Sequence, residues 1–321
     1  MKVTILGTGA YGLALSEILS ENNNEVVMWT KIESEKKELD ETKKSSKLDG
    51  FILNNNIKIE TNLEEAVKHS KLIIIAIPTA FVTDVCIELK KHIKPEQHIC
   101  IASKGIEQGT CLFIHDMIKK QIRTKNIGAI SGPTFAIDLV NKVPVALSVA
   151  SKNKKTIEII TKAFVNKHFR LEPTTDIVGI EICGAVKNII AIASGMIDGL
   201  NYPISTQALL ITQALYDIKN LIYALGGNKK TILSFAGFGD ILLTCTSEKS
   251  RNYSFGKLIG SGASKEQIEE YKNKITVEGL YTLKSIHKLI KKKKIKIPMI
   301  NIIYDIVFNN KSIDDLINYL I

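Results

Sequence analysis

The sequence predicts an α/β protein in which a doubly wound N-terminal domain is followed by an all-α domain. Three observations lead there. The β-branched run Val3-Thr4-Ile5-Leu6 enters a three-glycine loop, Gly7-Thr8-Gly9-Ala10-Tyr11-Gly12, and leaves into the helix formers Leu13-Ala14-Leu15-Ser16. Apolar runs then alternate with helical stretches as far as Ala150. Beyond Pro173-Thr174-Thr175-Asp176 helical periodicity takes over and strand signal nearly vanishes. A chain of 321 residues also exceeds what one core usually supports. The boundary is placed near Gly179, giving domains 1–178 and 179–321.

The opening loop carries chemistry because of its context. A G-x-G-x-x-G pattern has meaning between a strand and a helix, and both flank it here. Gly7 permits the tight turn, Gly9 lets backbone approach a pyrophosphate, and Gly12 allows close helix–strand packing. The following helix start offers N–H groups and a positive dipole end to phosphates. The first domain is therefore expected to be Rossmann-type and to bind a dinucleotide. Its first helix runs to about Glu21, where Asn22-Asn23-Asn24 breaks it. Glu25–Trp29 is the second strand. An acid near its end, about 20 residues past the glycines, would hold a ribose 2′-hydroxyl. This chain reads Thr30-Lys31 instead. A cation suits a 2′-phosphate better, so NADP(H) is slightly favoured over NAD(H), with a plain surface lysine as the alternative.

Residues 33 to 58 are rich in Lys, Glu and Asn with little periodicity, and read as short helix and loop. The continuous apolar run Leu72–Ile77 marks a buried parallel strand. Pro78 stops it and starts a new helix. His98–Ala102 is another strand, ending at Ser103-Lys104-Gly105-Ile106-Glu107. Lys104 thus lies at the carboxyl edge of the sheet, where α/β proteins bind ligands. Ile127–Ile130 leads into Ser131-Gly132-Pro133-Thr134-Phe135-Ala136 at another strand end. Pro144–Ala150 is one more strand, followed by a lysine-rich helix from Lys152 to about Lys167.

In the second half, Ile177–Met196 reads as a long helix. Gly184, Ala191 and Ser194 share one stripe with Lys187. A lysine on a small-residue stripe is expected to face open space, and a core-facing lysine without a partner costs heavily. Desolvation would also bring its pKa towards a value useful for proton transfer. Asp240 stands at the expected start of a further helix, with Thr244 one turn on along the same face. Together they could orient an ammonium and a substrate hydroxyl, although Asp240 reads equally as an N-cap. Ser250-Arg251-Asn252-Tyr253 adds the planar donor fork that suits phosphate, with two neutral donors beside it.

Bulk properties exclude several classes. Lys and Arg outnumber Asp and Glu by 43 to 33, a net +10. Much of the excess is the cluster Lys288, Lys291–Lys294 and Lys296, which lacks interleaved aromatics and reads as a solvated face rather than a nucleic-acid surface. A positive field also suits small anionic substrates. The five cysteines have no C-x-x-C spacing, which argues against a zinc site or a disulfide framework and for a reducing compartment; no metal is expected. The first strand leaves no room for a signal peptide, and no apolar run approaches about 18 residues, so neither a membrane span nor export is expected and the setting is cytoplasmic. The apolar helices from Ile300 to Ile321 could support a homodimer.

Six blocks together resemble the bacterial NAD(P)-dependent sn-glycerol-3-phosphate dehydrogenases: Gly7–Gly12, Ser103–Glu107, Ser131–Ala136, Gly184-Ala185-Val186-Lys187-Asn188, Gly237–Thr246 and Ser250–Tyr253. The first is shared by many oxidoreductases; the last two are specific. The resemblance implies interconversion of sn-glycerol 3-phosphate and dihydroxyacetone phosphate with NAD(P)(H), supplying glycerol 3-phosphate for phospholipid synthesis. It further implies that Gly7, Gly9, Ala10, Tyr11, Gly12, Lys31, Lys104, Ala136, Arg251, Thr276 and Glu278 contact the dinucleotide. Lys104, Gly132, Thr134, Lys187, Asp240, Ser250, Arg251 and Asn252 would line the substrate. Lys187 would be the proton acceptor, with Asp240, Thr244 and Asn188 completing the catalytic group. Two departures stand out: Gln213-Ala214 where the family has arginine and glycine, and Ser205 where asparagine is common. A 3-hydroxyacid or phosphogluconate-type dehydrogenase shares the two-domain layout, and a silent nucleotide-binding sensor would keep the glycine loop but lose the second site.

Overall fold

A computed structural model describes residues 1–321. The chain forms two compact units, one of Met1–Lys104 with Ile114–Ile177 and one of Gly105–Phe113 with Val178–Ile321. The short excursion Gly105–Phe113 has no compositional mark that sets it apart. It joins the helical unit because Ile106 and Phe113, paired across an isolated antiparallel bridge, are buried in that unit's core.

The first unit holds eight strands: β1 (Lys2–Leu6), β2 (Glu25–Trp29), β3 (Lys58–Glu60), β4 (Leu72–Ile75), β5 (His98–Ile101), β6 (Ile127–Ser131), β7 (Val145–Ser151) and β8 (Phe169–Thr174). They make one sheet in the order β3-β2-β1-β4-β5-β6-β7-β8. Pairing is parallel as far as β6. β7 then runs antiparallel to β6, and β8 parallel to β7. The helices are α1 (Ala10–Glu21), α2 (Glu33–Thr42), α3 (Leu63–Val67), α4 (Val82–Leu89), α5 (Ile114–Gln121), α6 (Ala136–Val140) and α7 (Lys154–Phe164). Strand β4 is buried along its whole length, as a continuous apolar run requires. Pro78 opens a single 3-10 turn, Thr79–Phe81, before α4.

Two strands depart from the sequence reading. β3 has only three residues. β8 was not anticipated at all; it contains Pro173, which is tolerated because the strand lies at the sheet edge and pairs with β7 alone.

The second unit is helical: α8 (Ile177–Gly199), α9 (Ile204–Ala224), α10 (Asp240–Cys245), α11 (Arg251–Gly260), α12 (Lys265–Lys274), α13 (Glu278–Lys293), α14 (Pro298–Asn309) and α15 (Asp314–Leu320). Its spine is α8. By length and composition α8 would pass as a membrane span, contrary to the sequence reading, yet its most apolar stretch is 94% buried in the protein, which makes it a core helix. Lys187 and Asn188 interrupt the run when it is read letter by letter. Ile300, Ile303, Ile306 and Leu316 are buried in this unit's core. Large apolar side chains that remain exposed include Ile204, Tyr216 and Tyr223 on α9.

Candidate active site

In the first unit the expected dinucleotide residues gather at the carboxyl ends of β1, β2, β5 and β6. Gly7 has φ +118°, and a Cβ there would lie 2.5 Å from Ala76 O. A Cβ on Gly12 would lie 2.6 Å from Gly7 O, so both glycines are required by close backbone approach. Gly9 differs: a Cβ there would meet nothing within 4 Å. Gly9 is also the N-cap of α1, whose first turn has no side-chain cap and no acidic residue. Ala10 and Tyr11 follow in that first turn, and Tyr11 Oη stands 3.5 Å from Thr134 Oγ1. Gly132 crosses close to β7, where a Cβ would press on Leu147 Cα at 2.8 Å. Ala136 begins α6. Lys104 ends the β5 loop half-buried, with its carbonyl accepting from Thr79 Oγ1 at 3.1 Å. Lys31 is exposed just past β2.

Sequence reading missed one group in this unit. Glu35, in the first turn of α2, accepts hydrogen bonds from the hydroxyls of Thr8 and Thr30 and pairs with Lys47. Burial pushes its carboxyl up, but those bonds outweigh burial and hold it below the usual carboxylate range.

In the second unit Lys187 sits mid-way along α8 and donates to Asp240 Oδ1 at 2.6 Å and to Thr244 Oγ1 at 2.9 Å. Thr244 donates in turn to the Asp240 carbonyl at 2.6 Å, which leaves its oxygen to accept from the ammonium. Asp240 is fully buried, and Lys187 and Thr244 nearly so. A buried charge survives when it is paired and hydrogen-bonded. Asp240 is not the cap that its position suggested: Gly239 occupies the N-cap, and a π-turn over Phe235–Gly239 delivers Asp240 into α10. Irregular turns of this kind are frequent at functional sites.

The small-residue stripe does not create the open space that was expected. It lets α10 come close instead: Ser194 Oγ donates to Cys245 O at 2.6 Å, and Cys245 Sγ stands 3.9 Å from Lys187 O. The other side of α8 is closed by α11 through four glycines. A Cβ on Gly256 would lie 1.9 Å from Ile192 O, and one on Gly195 2.0 Å from Tyr253 O; Gly260 and Gly199 repeat the contact one turn on.

That packing fixes the start of α11. Ser250 is its N-cap and accepts from Tyr253 N. Arg251 follows, exposed and 3.8 Å from Glu278. Asn252 Oδ1 accepts from Gly279 N at 2.8 Å, and a Cβ on Gly279 would lie 2.8 Å from Asn188 O. Gly279 thus wedges the start of α13 against α8 and α11, bringing Glu278 beside Arg251. Thr276 lies exposed just before that helix. The departure at Gln213 also has a structural role, since its amide donates to Asp217 Oδ1 at 3.2 Å and lies 3.3 Å from Tyr319 Oη, joining α9 to α15.

Comparison with known proteins covers both units. Family profiles described as the N-terminus and the C-terminus of NAD-dependent glycerol-3-phosphate dehydrogenase match residues 2–157 and 176–318. Glycerol-3-phosphate dehydrogenase [NAD(P)+] of Staphylococcus haemolyticus is 34% identical, over 99% of this chain and 97% of the relative. The enzyme of the same name from Fusobacterium nucleatum is also 34% identical, over 100% and 96%. The crystal structure of glycerol-3-phosphate dehydrogenase from Coxiella burnetii superimposes with a TM-score of 0.93 at 28% identity, over 99% of this chain and 98% of that one. On both its halves, the chain belongs to the NAD-dependent glycerol-3-phosphate dehydrogenase family.

Proposed function

We propose that the chain is an NAD(P)-dependent oxidoreductase that interconverts sn-glycerol 3-phosphate and dihydroxyacetone phosphate, with Lys187 exchanging the proton. The observation that carries this reading is the Lys187–Asp240–Thr244 group: an amine buried within the helical unit and held there by a carboxylate and a hydroxyl. Residues of the first unit fit a dinucleotide. Gly9 leaves room that any side chain would take, and the α1 amides beside it carry no side-chain cap. When bound, the nicotinamide supplies or accepts the hydride.

The remaining roles belong to the chain. In oxidation Lys187 starts as the neutral amine and takes the proton of the C2 hydroxyl to become the ammonium; in reduction the ammonium donates that proton to the carbonyl oxygen and offsets the charge that develops there. Asp240 and Thr244 hold the ammonium, with Asn188 next to it in α8. Arg251 anchors the phosphate as a remote handle that fixes geometry. The Ser250 hydroxyl, an acceptor in the cap, still has its own hydrogen to donate, and Asn252 has its amide donors. Lys104, Gly132 and Thr134 also take part in holding the substrate. Gly7, Gly9, Ala10, Tyr11, Gly12, Lys104, Ala136, Arg251, Thr276 and Glu278 hold the dinucleotide, with Lys31 tilting choice slightly towards NADPH. The product serves phospholipid synthesis. Five free, buried cysteines support a reducing, cytoplasmic setting. Homodimerisation is also proposed, but not through the helices from Ile300, where Ile300, Ile303, Ile306 and Leu316 are taken up by the core; exposed Ile204, Tyr216 and Tyr223 offer a better face.

Initial rates of dihydroxyacetone phosphate reduction with NADH and NADPH side by side test the assignment. Turnover with both, moderately better with NADPH, is expected. No turnover with either overturns it.

A further inference from the structure

One charged cluster of the first unit has no part in the roles above. Glu35 lies in α2, but its carboxylate turns back to the junction of the glycine loop and β2. Thr8 belongs to that loop, and Thr30 is the first residue past β2. Oε2 accepts from both hydroxyls, which fills its two lone-pair positions. Oε1 accepts from Lys47, which uses one of its two. The Glu35 side chain is largely buried while Lys47 is more exposed. Held below its usual range, the carboxyl is ionised at neutral pH.

Sequence reading sought an acid at the strand end and found Lys31. The fold delivers the acid from the next helix. In doubly wound domains the adenosine ribose is read at this strand end, by an acid when the 2′ group is a hydroxyl and by cations when it is a phosphate. Here both kinds of group are present, an exposed Lys31 and a lysine-bridged Glu35. Discrimination between two ligands needs a repulsive element as well as an attractive one.

We infer that Glu35 reads the 2′ position of the adenosine ribose, accepting a hydroxyl and repelling a phosphate, in opposition to Lys31. Lys47 sets how strongly the carboxylate is felt. Two opposed charges at one position give a site that takes both cofactors, where Lys31 alone would commit it to the phosphorylated one. The inference rests on the dinucleotide reading of the Gly7–Gly12 loop.

The test is direct binding of NADH and NADPH without substrate, read by quenching of Trp29, the single tryptophan, which ends β2. Glu35→Gln keeps the size and removes the charge. Its ratio of Kd for NADPH to Kd for NADH is expected to fall by about tenfold, the scale of one short-range charge interaction near a surface. Lys47→Met, which unmasks the carboxylate, is expected to raise the same ratio. That variant keeps the question decidable if Glu35→Gln fails to fold. A ratio unchanged in the folded variants, or both constants moving in parallel, makes Glu35 a tether of the loop and overturns the inference. Wild-type protein that binds neither dinucleotide overturns the underlying reading instead.

Discussion

Lys187 Nζ lies 2.6 Å from Asp240 Oδ1, and this ion pair is buried between α8 and α10. Neither partner is tolerable there alone. Removing one side of a buried pair leaves an uncompensated charge, at a cost of about 3–5 kcal/mol. Asp240→Ala is therefore expected to lose stability on that scale in urea unfolding. Asp240→Asn keeps size and hydrogen bonding, and should fold while losing roughly 10²-fold in kcat as the ammonium loses its orientation. Wild-type stability in Asp240→Ala would show that the pair is not energetically buried.

The second prediction concerns the α8–α11 contact. A methyl on Gly256 would lie 1.9 Å from Ile192 O, so the helices must separate. Overpacking of this kind typically costs about 1–3 kcal/mol, more where backbone is the obstacle. Gly256→Ala should lower the urea midpoint and, in whatever folds, raise KM for glycerol 3-phosphate, because Arg251 begins the displaced helix. An unchanged midpoint and KM would detach the glycine contact from phosphate anchoring.

These two relationships show how far the residues speak for themselves. The glycine loop, the apolar strand β4 and the Asp240–Thr244 pair were legible because each is written in local spacing, whereas Lys187 lies 53 positions before Asp240 and was joined to it by the chemistry of an ammonium that needs an acid. The meaning of the small residues around Lys187 was not. Gly184, Ala191 and Ser194 suggested empty space, whereas Ser194 bonds the end of α10 and the helix is closely packed. A stripe of small side chains looks the same whether a ligand or another helix fills it. Glu35 was hidden for a different reason: its carboxylate reaches the β2 end from the following helix. β8 went unread, and its Pro173 is tolerable only because of edge position, which is a property of the assembled sheet.

The third prediction is a pH dependence. Buried His98 bonds Thr156 at 2.9 Å, and burial, aided by Lys71 and Lys155, lowers its pKa from the usual 6.5. The unfolded chain then binds a proton more readily than the native one. Stability is intact above about pH 6.5 and falls as pH drops from there through the lowered native value. His98→Gln should flatten that acid-side slope in urea titrations between pH 7 and 5. A slope equal to wild type would assign the acid loss to other groups.

Lys31 supplies the fourth. If it favours the 2′-phosphate, Lys31→Ala should raise KM for NADPH about tenfold and leave KM for NADH nearly unchanged, the loss being one charge-assisted contact. Equal effects on both cofactors would return Lys31 to an ordinary surface lysine.

The most direct measurement is the turnover of Lys187→Ala with dihydroxyacetone phosphate and NADPH, beside dinucleotide binding by Trp29 quenching as a check that the first unit is intact. Proton transfer by a positioned side chain is worth about 10²–10⁴-fold. A fall in kcat of that size with cofactor affinity retained is the expected result; near-normal turnover would contradict the assignment of the proton to Lys187.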